Sequence, residues 1–323
     1  MATPDGRTVL MLSDTVWELH GGTIRSIDPS IEPLVYSADV PFPDDVLDTV
    51  DIAFFSADCW PDRSRGFVVS ILKARNLRWL QTFSAGVDSP FFVDLMGRGV
   101  LLTTASGSSA SPIAQTVVLY MLALSRDMRR WMRDQDARRW EQHRFVELEG
   151  ARLAVVGMGP IGMEVARLGI ALGMETEAVR RTPGGDEPCV THGLHSLHEV
   201  LGRADWVVSA LPLTPDTRQI FGAGAFAAMK PGAFFINVGR GELVDEPAMI
   251  AALQSGALGG AGLDVFAVEP LPSDSPLWAM ENVIITPHNS ATSTSTGARS
   301  QAIFLDNLER HVNGRPMRNL ANT

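Results

Sequence analysis

The sequence predicts an α/β protein of two doubly wound parallel-sheet domains, one of them a Rossmann dinucleotide-binding domain. Three observations lead there. Gly157-Met158-Gly159-Pro160-Ile161-Gly162 is a G-x-G-x-x-G loop between an apolar strand at 151–156 and an amphipathic helix. Strand-like and helical segments alternate along most of the chain, the pattern of a parallel sheet. With 323 residues and 45% hydrophobic content, the chain can bury a large core and divide into two domains of ordinary size.

The elements follow in order. Residues 8–12, 51–55 and 79–82 are apolar strand candidates, and the turn Ser84-Ala85-Gly86-Val87-Asp88-Ser89-Pro90 follows the third. A fourth strand, 100–104, runs into the small-residue stretch 105–111, whose polar, flexible composition marks a hinge. One long helix is expected over 113–133. The dinucleotide unit opens at Ala151 and continues through strands at 206–211, 233–238, 261–265 and 283–285. A last helix over 299–312 is long enough to cross back and cover the first domain. No internal repeat appears beyond the βα alternation.

Each glycine of the loop has a physical task. Gly157 allows a tight turn, Gly159 lets a pyrophosphate approach the backbone, and Gly162 lets helix and strand pack closely. Pro160 suits the first helical turn, where its missing N–H costs nothing. Ile161, Val165, Leu168 and Leu172 recur at helical spacing, and Gly173 stops the helix. A diphosphate would rest on the unpaired N–H groups at the helix start. An NAD site usually places an acid about 20 residues further on, at the end of the second strand. Glu175 and Glu177 lie near that distance, but a strand starting after Gly173 ends near Val179. The diagnostic residue is then Arg180, followed by Arg181 and Thr182, a set suited to a 2′-phosphate. NADP(H) is the expected cofactor, with NAD(H) open if either glutamate reaches the ribose.

Composition excludes several classes. A net charge of −10 argues against a general nucleic-acid role, and the arginines of 126–139, interrupted by aspartates, read as a solvated helical face. No apolar run reaches the length of a membrane span. Residues 1–7 lead straight into the first strand without a signal-peptide core, and Cys59 and Cys189 form no motif. Cytoplasmic placement with reduced thiols is the expectation. Cys189, His192, His195 and His198 recur every three residues, unlike the usual zinc spacings, so no metal site is expected. Ser196 followed by Glu199 reads instead as a capping box that starts a helix.

Open α/β folds place ligands at the carboxyl ends of their strands. There the sequence sets Asn237-Val238-Gly239-Arg240, Asp264 with Glu269, and Thr286-Pro287-His288. An arginine, a carboxylate and a histidine at successive strand ends can converge on a cofactor. Taken singly, Arg240 also reads as a surface ion-pair partner, Glu269 as a loop acid and His288 as a core histidine.

These segments resemble the D-isomer-specific 2-hydroxyacid dehydrogenases, the family that includes glyoxylate/hydroxypyruvate reductases, over about residues 80–320. The resemblance rests on Ser84-Ala85-Gly86-Val87-Asp88, Gly157 to Gly162, Leu211-Pro212-Leu213-Thr214-Pro215-Asp216-Thr217, and Asn237 to Gly241 with Val244-Asp245. It extends to Gly262-Leu263-Asp264-Val265-Phe266 with Glu269-Pro270-Leu271, and to Thr286-Pro287-His288. Arg240 to Glu269 spans 29 residues and Glu269 to His288 spans 19, as in that family. Arg180 departs from members that carry Asp there and use NAD.

The resemblance implies a flavodoxin-like, discontinuous substrate domain of about residues 1–105 and 292–323, with a cofactor domain over 106–291 and closure across the cleft between them. Arg240 would bind the carboxylate and 2-oxo oxygen of a small 2-oxo acid, and His288 would be the general acid. Glu269 would orient the imidazole and favour its charged form. The Ala85, Gly86 and Val87 backbone would donate to the substrate carboxylate. Asp264, Val238 and Gly239 would lie by the nicotinamide end, and Leu211, Pro212 and Thr217 beside the adenosine. A homodimer is implied, with the 131–140 region as its arm. Arg63 and Arg65 raise a phosphorylated substrate, as in phosphoglycerate dehydrogenases, although no regulatory domain follows Thr323. A non-catalytic dinucleotide-sensing scaffold is a rival that fold alone does not exclude. A formate-type dehydrogenase is another, against which Glu269 argues, since its members carry glutamine there.

Overall fold

A computed structural model describes residues 7–37, 41–87 and 89–321; the N-terminal lead at 1–6 and Asp88 of the predicted turn lie outside them. The chain divides into two compact units, Met1–Ser108 with Ser293–Thr323, and Ser109–Thr292. The division falls inside the small-residue stretch after the fifth strand.

The first unit holds β1 (Thr8–Ser13), β2 (Ile31–Tyr36), β3 (Ile52–Phe55), β4 (Trp79–Thr82) and β5 (Leu101–Thr103), with α1 (Asp14–Ile27), α2 (Asp44–Leu47), α3 (Ser64–Lys73) and α4 (Pro90–Gly97). The strands are parallel in the order β2-β1-β3-β4-β5, the flavodoxin-like winding. Every residue of β3 and β4 is buried. Ala53 and Phe55 face one core, while Ile52 and Phe54 face a second on the opposite side. That alternation explains why the run is apolar throughout: helices cover both faces. β2 escapes sequence reading because Glu32 and Pro33 interrupt its apolar pattern. It lies at the sheet edge, where a proline removes no ladder bond that matters.

The second unit holds α5 (Ala110–Ser125), α6 (Met128–Asp136), β6 (Arg152–Val156), α7 (Pro160–Ala171), β7 (Glu175–Arg180), β8 (Val190–Gly193), α8 (Leu197–Arg203), β9 (Trp206–Ser209), α9 (Ala223–Ala228), β10 (Ala233–Asn237), α10 (Glu246–Gln254), β11 (Leu258–Leu263) and β12 (Val283–Ile285). Its strands are parallel in the order β12-β11-β10-β9-β6-β7-β8, so the winding reverses between β6 and β9. This is the Rossmann order with one further strand. The last helix, α11 (Thr296–Val312), belongs to the first unit, where Phe304 stacks on Phe54 at a centroid distance of 4.2 Å.

Two local expectations are corrected. The helix expected over 113–133 is two helices, because Asp127 adopts φ +50, a left-handed conformation that cannot continue an α-helix. Ser196 does precede α8, but its side chain makes no capping bond. It sits in a 3-10 turn at ψ 7 rather than in the extended conformation a capping box needs. Among the described residues no helix is long and apolar enough to cross a membrane.

Candidate active site

The glycine loop sits where the winding reverses. Gly157 has φ +106, and a Cβ there would stand 2.6 Å from the carbonyl of Ala210, just past β9. At Gly162 a Cβ would come within 1.8 Å of the Gly157 oxygen. Both positions therefore exclude a side chain. Gly159 differs: it is the N-cap of α7 without a side-chain cap, and nothing lies within 4 Å of where its Cβ would be. Met158 is buried, Pro160 opens the helix, and half-buried Ile161 packs on the core. An open approach to an uncapped helix N-terminus fits a diphosphate. Gly162→Ala should cost about 1–3 kcal/mol, the usual range for overpacking, and should weaken dinucleotide binding. Thermal melts and fluorescence titration with the dinucleotide would read both effects.

β7 ends at Arg180, with Arg181 and Thr182 exposed beyond it. Neither upstream glutamate stands at the strand end. Glu175 pairs with Arg152 at the opposite end of the strand, 3.1 Å away. Glu177 accepts two 2.6 Å bonds from Arg203 and lies 3.0 Å from His192, and Arg203 chiefly holds its carboxyl below the usual range. Arg180 does not stand open to a ligand as its position suggests. Its Nη1 donates to Glu187 Oε1 at 2.6 Å. His192 lies in β8 and His195 in the 3-10 turn, and among the described residues no three His, Cys, Asp or Glu side chains group as metal ligands.

The loop after β9 is shaped from within. Buried Thr217 donates to the Pro212 carbonyl at 2.7 Å and accepts from the Thr214 N–H at 2.8 Å, so its hydroxyl holds the turn that carries Leu211. After β10, Asn237 accepts from the Gly239 N–H at 3.1 Å and donates to the Arg240 carbonyl at 2.9 Å. These bonds fix the Val238–Gly239 turn. The Arg240 guanidinium donates to the Gly239 carbonyl at 3.0 Å.

Register aligns the chemistry. Asn237 pairs with Leu263, and Leu263 with Ile285, so the ends of β10, β11 and β12 are level. Strand spacing puts the outer two about 10 Å apart. Asp264 follows β11 and is 1% exposed. Its carboxylate does not face open space. It accepts from Thr286 Oγ1 at 2.5 Å, from the Asn289 N–H at 3.0 Å, and from the Ser290 N–H and hydroxyl. Tyr120 closes the network through the Thr286 hydroxyl, and burial pushes its phenol upward. Asp264 thus braces the segment carrying His288, whose φ of +50 is uncommon for a residue other than glycine. The His288 N–H donates to the Asp264 carbonyl at 2.8 Å. His288 Nδ1 lies 2.7 Å from Glu269 Oε2, and Glu269 Oε1 accepts from the Phe266 N–H at 3.0 Å. Both side chains are partly exposed.

The second unit therefore brings together the glycine loop, Arg240, Asp264, Glu269 and His288. Ala85, Gly86 and Val87 belong to the first unit, in the loop after β4, where Ser84 Oγ donates to the Gly86 carbonyl at 2.9 Å. Sequence reasoning missed Glu187, Ser290 and Tyr120, and gave Thr286 no role of its own. A glutamate seven residues beyond Arg180 was the one available signal for the first; the others required the fold.

The family model described as "D-isomer specific 2-hydroxyacid dehydrogenase, NAD binding domain" matches residues 118–290. The chain belongs to the D-isomer-specific 2-hydroxyacid dehydrogenases. It is accordingly an NAD(P)-dependent oxidoreductase acting on the CH–OH group of D-2-hydroxy acids. A glyoxylate/hydroxypyruvate reductase B of Escherichia fergusonii is 38% identical over 259 residues, covering 77% of this chain and 79% of that protein. A solved family member from Aeromonas salmonicida superposes with a TM-score of 0.83 at 32% identity, covering 98% of this chain and 99% of that one. An NADPH-dependent glyoxylate/hydroxypyruvate reductase from Sinorhizobium meliloti, solved with NADP and sulfate, gives 0.80 at 27% identity over 98% of each chain.

Proposed function

We propose that this dehydrogenase reduces small 2-oxo acids of the glyoxylate/hydroxypyruvate type, with NADP(H) preferred and NAD(H) usable. The observation that carries the reading is the 2.7 Å Glu269–His288 pair on a segment braced by Asp264, level with the Arg240 turn. The bound dinucleotide supplies the hydride. His288 holds the proton for the carbonyl oxygen, and Glu269, 2.7 Å from Nδ1, orients the ring. Arg240 binds the carboxylate and 2-oxo oxygen through its planar fork.

Members of this fold without turnover can act as sensors, and a panel of 2-oxo acids assayed with NADPH and NADH separates the two. Absence of turnover across the panel would sink the enzymatic reading. Of the two arginines that raise a phosphorylated substrate, Arg63 is engaged by Asp14 at 2.6 Å and Asp58 at 2.5 Å, and Arg65 is exposed. We also assign the chain to the cytoplasm and to a homodimer paired through the 131–140 arm, where Trp131 and Trp140 are exposed. Light scattering of the purified protein checks the dimer.

Cofactor choice gives a direct test. Arg180 ends the second strand of the dinucleotide unit, and a hydrogen bond to a charged group contributes about 1.5–3 kcal/mol. NADPH should therefore exceed NADH by at least about tenfold in kcat/KM. Arg180→Ala should remove much of that preference through KM for NADPH. An unaltered ratio in the variant would separate Arg180 from cofactor choice.

A further inference from the structure

The segment after β7 is an anion cradle filled from within the chain. Three donors converge on Glu187: the Arg180 guanidinium at 2.6 Å, the Gly184 N–H at 2.7 Å and the Gly185 N–H at 2.7 Å. The first two meet Oε1 and the third meets Oε2, so both carboxylate oxygens are used. The Glu187 side chain is only 3% exposed, although it lies on a surface loop. The backbone N–H of Gly184, then Arg180, hold its carboxyl down to about 2, so it is ionised throughout the neutral range. Asp186, 3.9 Å from Arg180 and mostly exposed, adds a second negative charge at the rim. A guanidinium beside consecutive backbone N–H groups is also the donor set that a phosphate recruits.

We propose that Glu187 is an internal stand-in for the cofactor's 2′-phosphate, occupying the Arg180–Gly184–Gly185 cradle until the phosphate displaces it. The inference rests on the NADP(H) reading above. It differs from a simple arginine–phosphate contact in one respect: Glu187 opposes NADP(H) binding. The phosphate carries about −1.5 to −2 against the carboxylate's single charge, so it can win the cradle. It wins by less than an open cradle would allow, because the Arg180–Glu187 bond and two backbone bonds are first given up. The preference for NADPH is thus set by the difference between two anions.

Calorimetric titration of the full-length protein with 2′,5′-ADP and with 5′-ADP isolates the phosphate from the rest of the cofactor. In Glu187→Gln the amide oxygen can still accept a backbone N–H, but the competing charge is gone. The affinity ratio of 2′,5′-ADP to 5′-ADP should rise about tenfold, the effect of one charged contact. Glu187→Asp keeps the charge on a shorter stem that cannot span all three donors, and should give a smaller rise. It carries the test if the glutamine variant does not fold, and thermal melts monitor both. A ratio that falls in E187Q would make Glu187 the residue that orders Arg180 for the phosphate, and an unchanged ratio would remove it from selection; either overturns the inference. Equal binding of the two ligands by the wild type would instead sink the NADP(H) reading. In that case the stand-in role survives only if E187Q gains discrimination, and falls if it does not.

Discussion

His288→Ala is expected to lower kcat for 2-oxo acid reduction by about 10²–10⁴-fold, the usual contribution of a positioned general acid. The proposed role rests on the Glu269 contact. Glu269 Oε2 engages Nδ1 at 2.7 Å, which leaves Nε2 as the nitrogen for a substrate oxygen. Dinucleotide affinity, read by fluorescence titration, should change little, because the Gly157–Gly162 loop lies beyond β10 and β9 in the sheet. The backbone demands a control. His288 adopts φ +50, which alanine tolerates poorly and asparagine tolerates well. His288→Asn should keep the segment in place and still lose turnover. Loss in alanine alone would point to backbone strain, and an active asparagine variant would remove the histidine from the proton transfer.

The sequence was legible where one residue type has one physical use. Gly157 and Gly162 fall into this class: a left-handed φ of +106 and a 1.8 Å approach to a backbone oxygen leave no alternative to glycine. β3 was equally plain, since a strand covered by helices on both faces favours an unbroken apolar run. Legibility failed where meaning depends on a distant partner. Ile31–Tyr36 is a strand only because it pairs with β1, and its Pro33 reads locally as a break. Asp127 stops α5 through a backbone conformation that its identity permits but does not require. The motif puts Asp264 beside the cofactor, and only the fold adds that its carboxylate accepts from Thr286, Asn289 and Ser290. A buried acid that braces a neighbouring loop and an acid that contacts a ligand look alike in sequence. Arg180 shows the same limit, because its engagement by Glu187 depends on the path of the intervening loop.

Arg240→Lys is expected to lower kcat/KM for the 2-oxo acid by at least about tenfold, with dinucleotide binding nearly unchanged. The substitution keeps the positive charge, so long-range attraction of an anionic substrate survives. It removes the planar fork. A guanidinium offers five N–H donors in fixed directions, whereas an ammonium offers three on a flexible stem. In the structure Arg240 already uses Nη1 on the Gly239 carbonyl at 3.0 Å, which fixes the plane of the fork against its own turn. Asn237 holds that turn from both sides, by the Gly239 N–H and the Arg240 carbonyl. A lysine must divide fewer donors between the Gly239 carbonyl and the substrate, and it cannot meet the carboxylate and 2-oxo oxygen in one plane. Each lost charged contact is worth about 1.5–3 kcal/mol, so even one accounts for the expected change. The loss should appear in KM if Arg240 binds ground state and transition state alike, and in kcat if the 2-oxo oxygen contact strengthens as charge develops there. Wild-type kinetics in Arg240→Lys would confine Arg240 to holding the turn after β10 and pass substrate recognition to another residue.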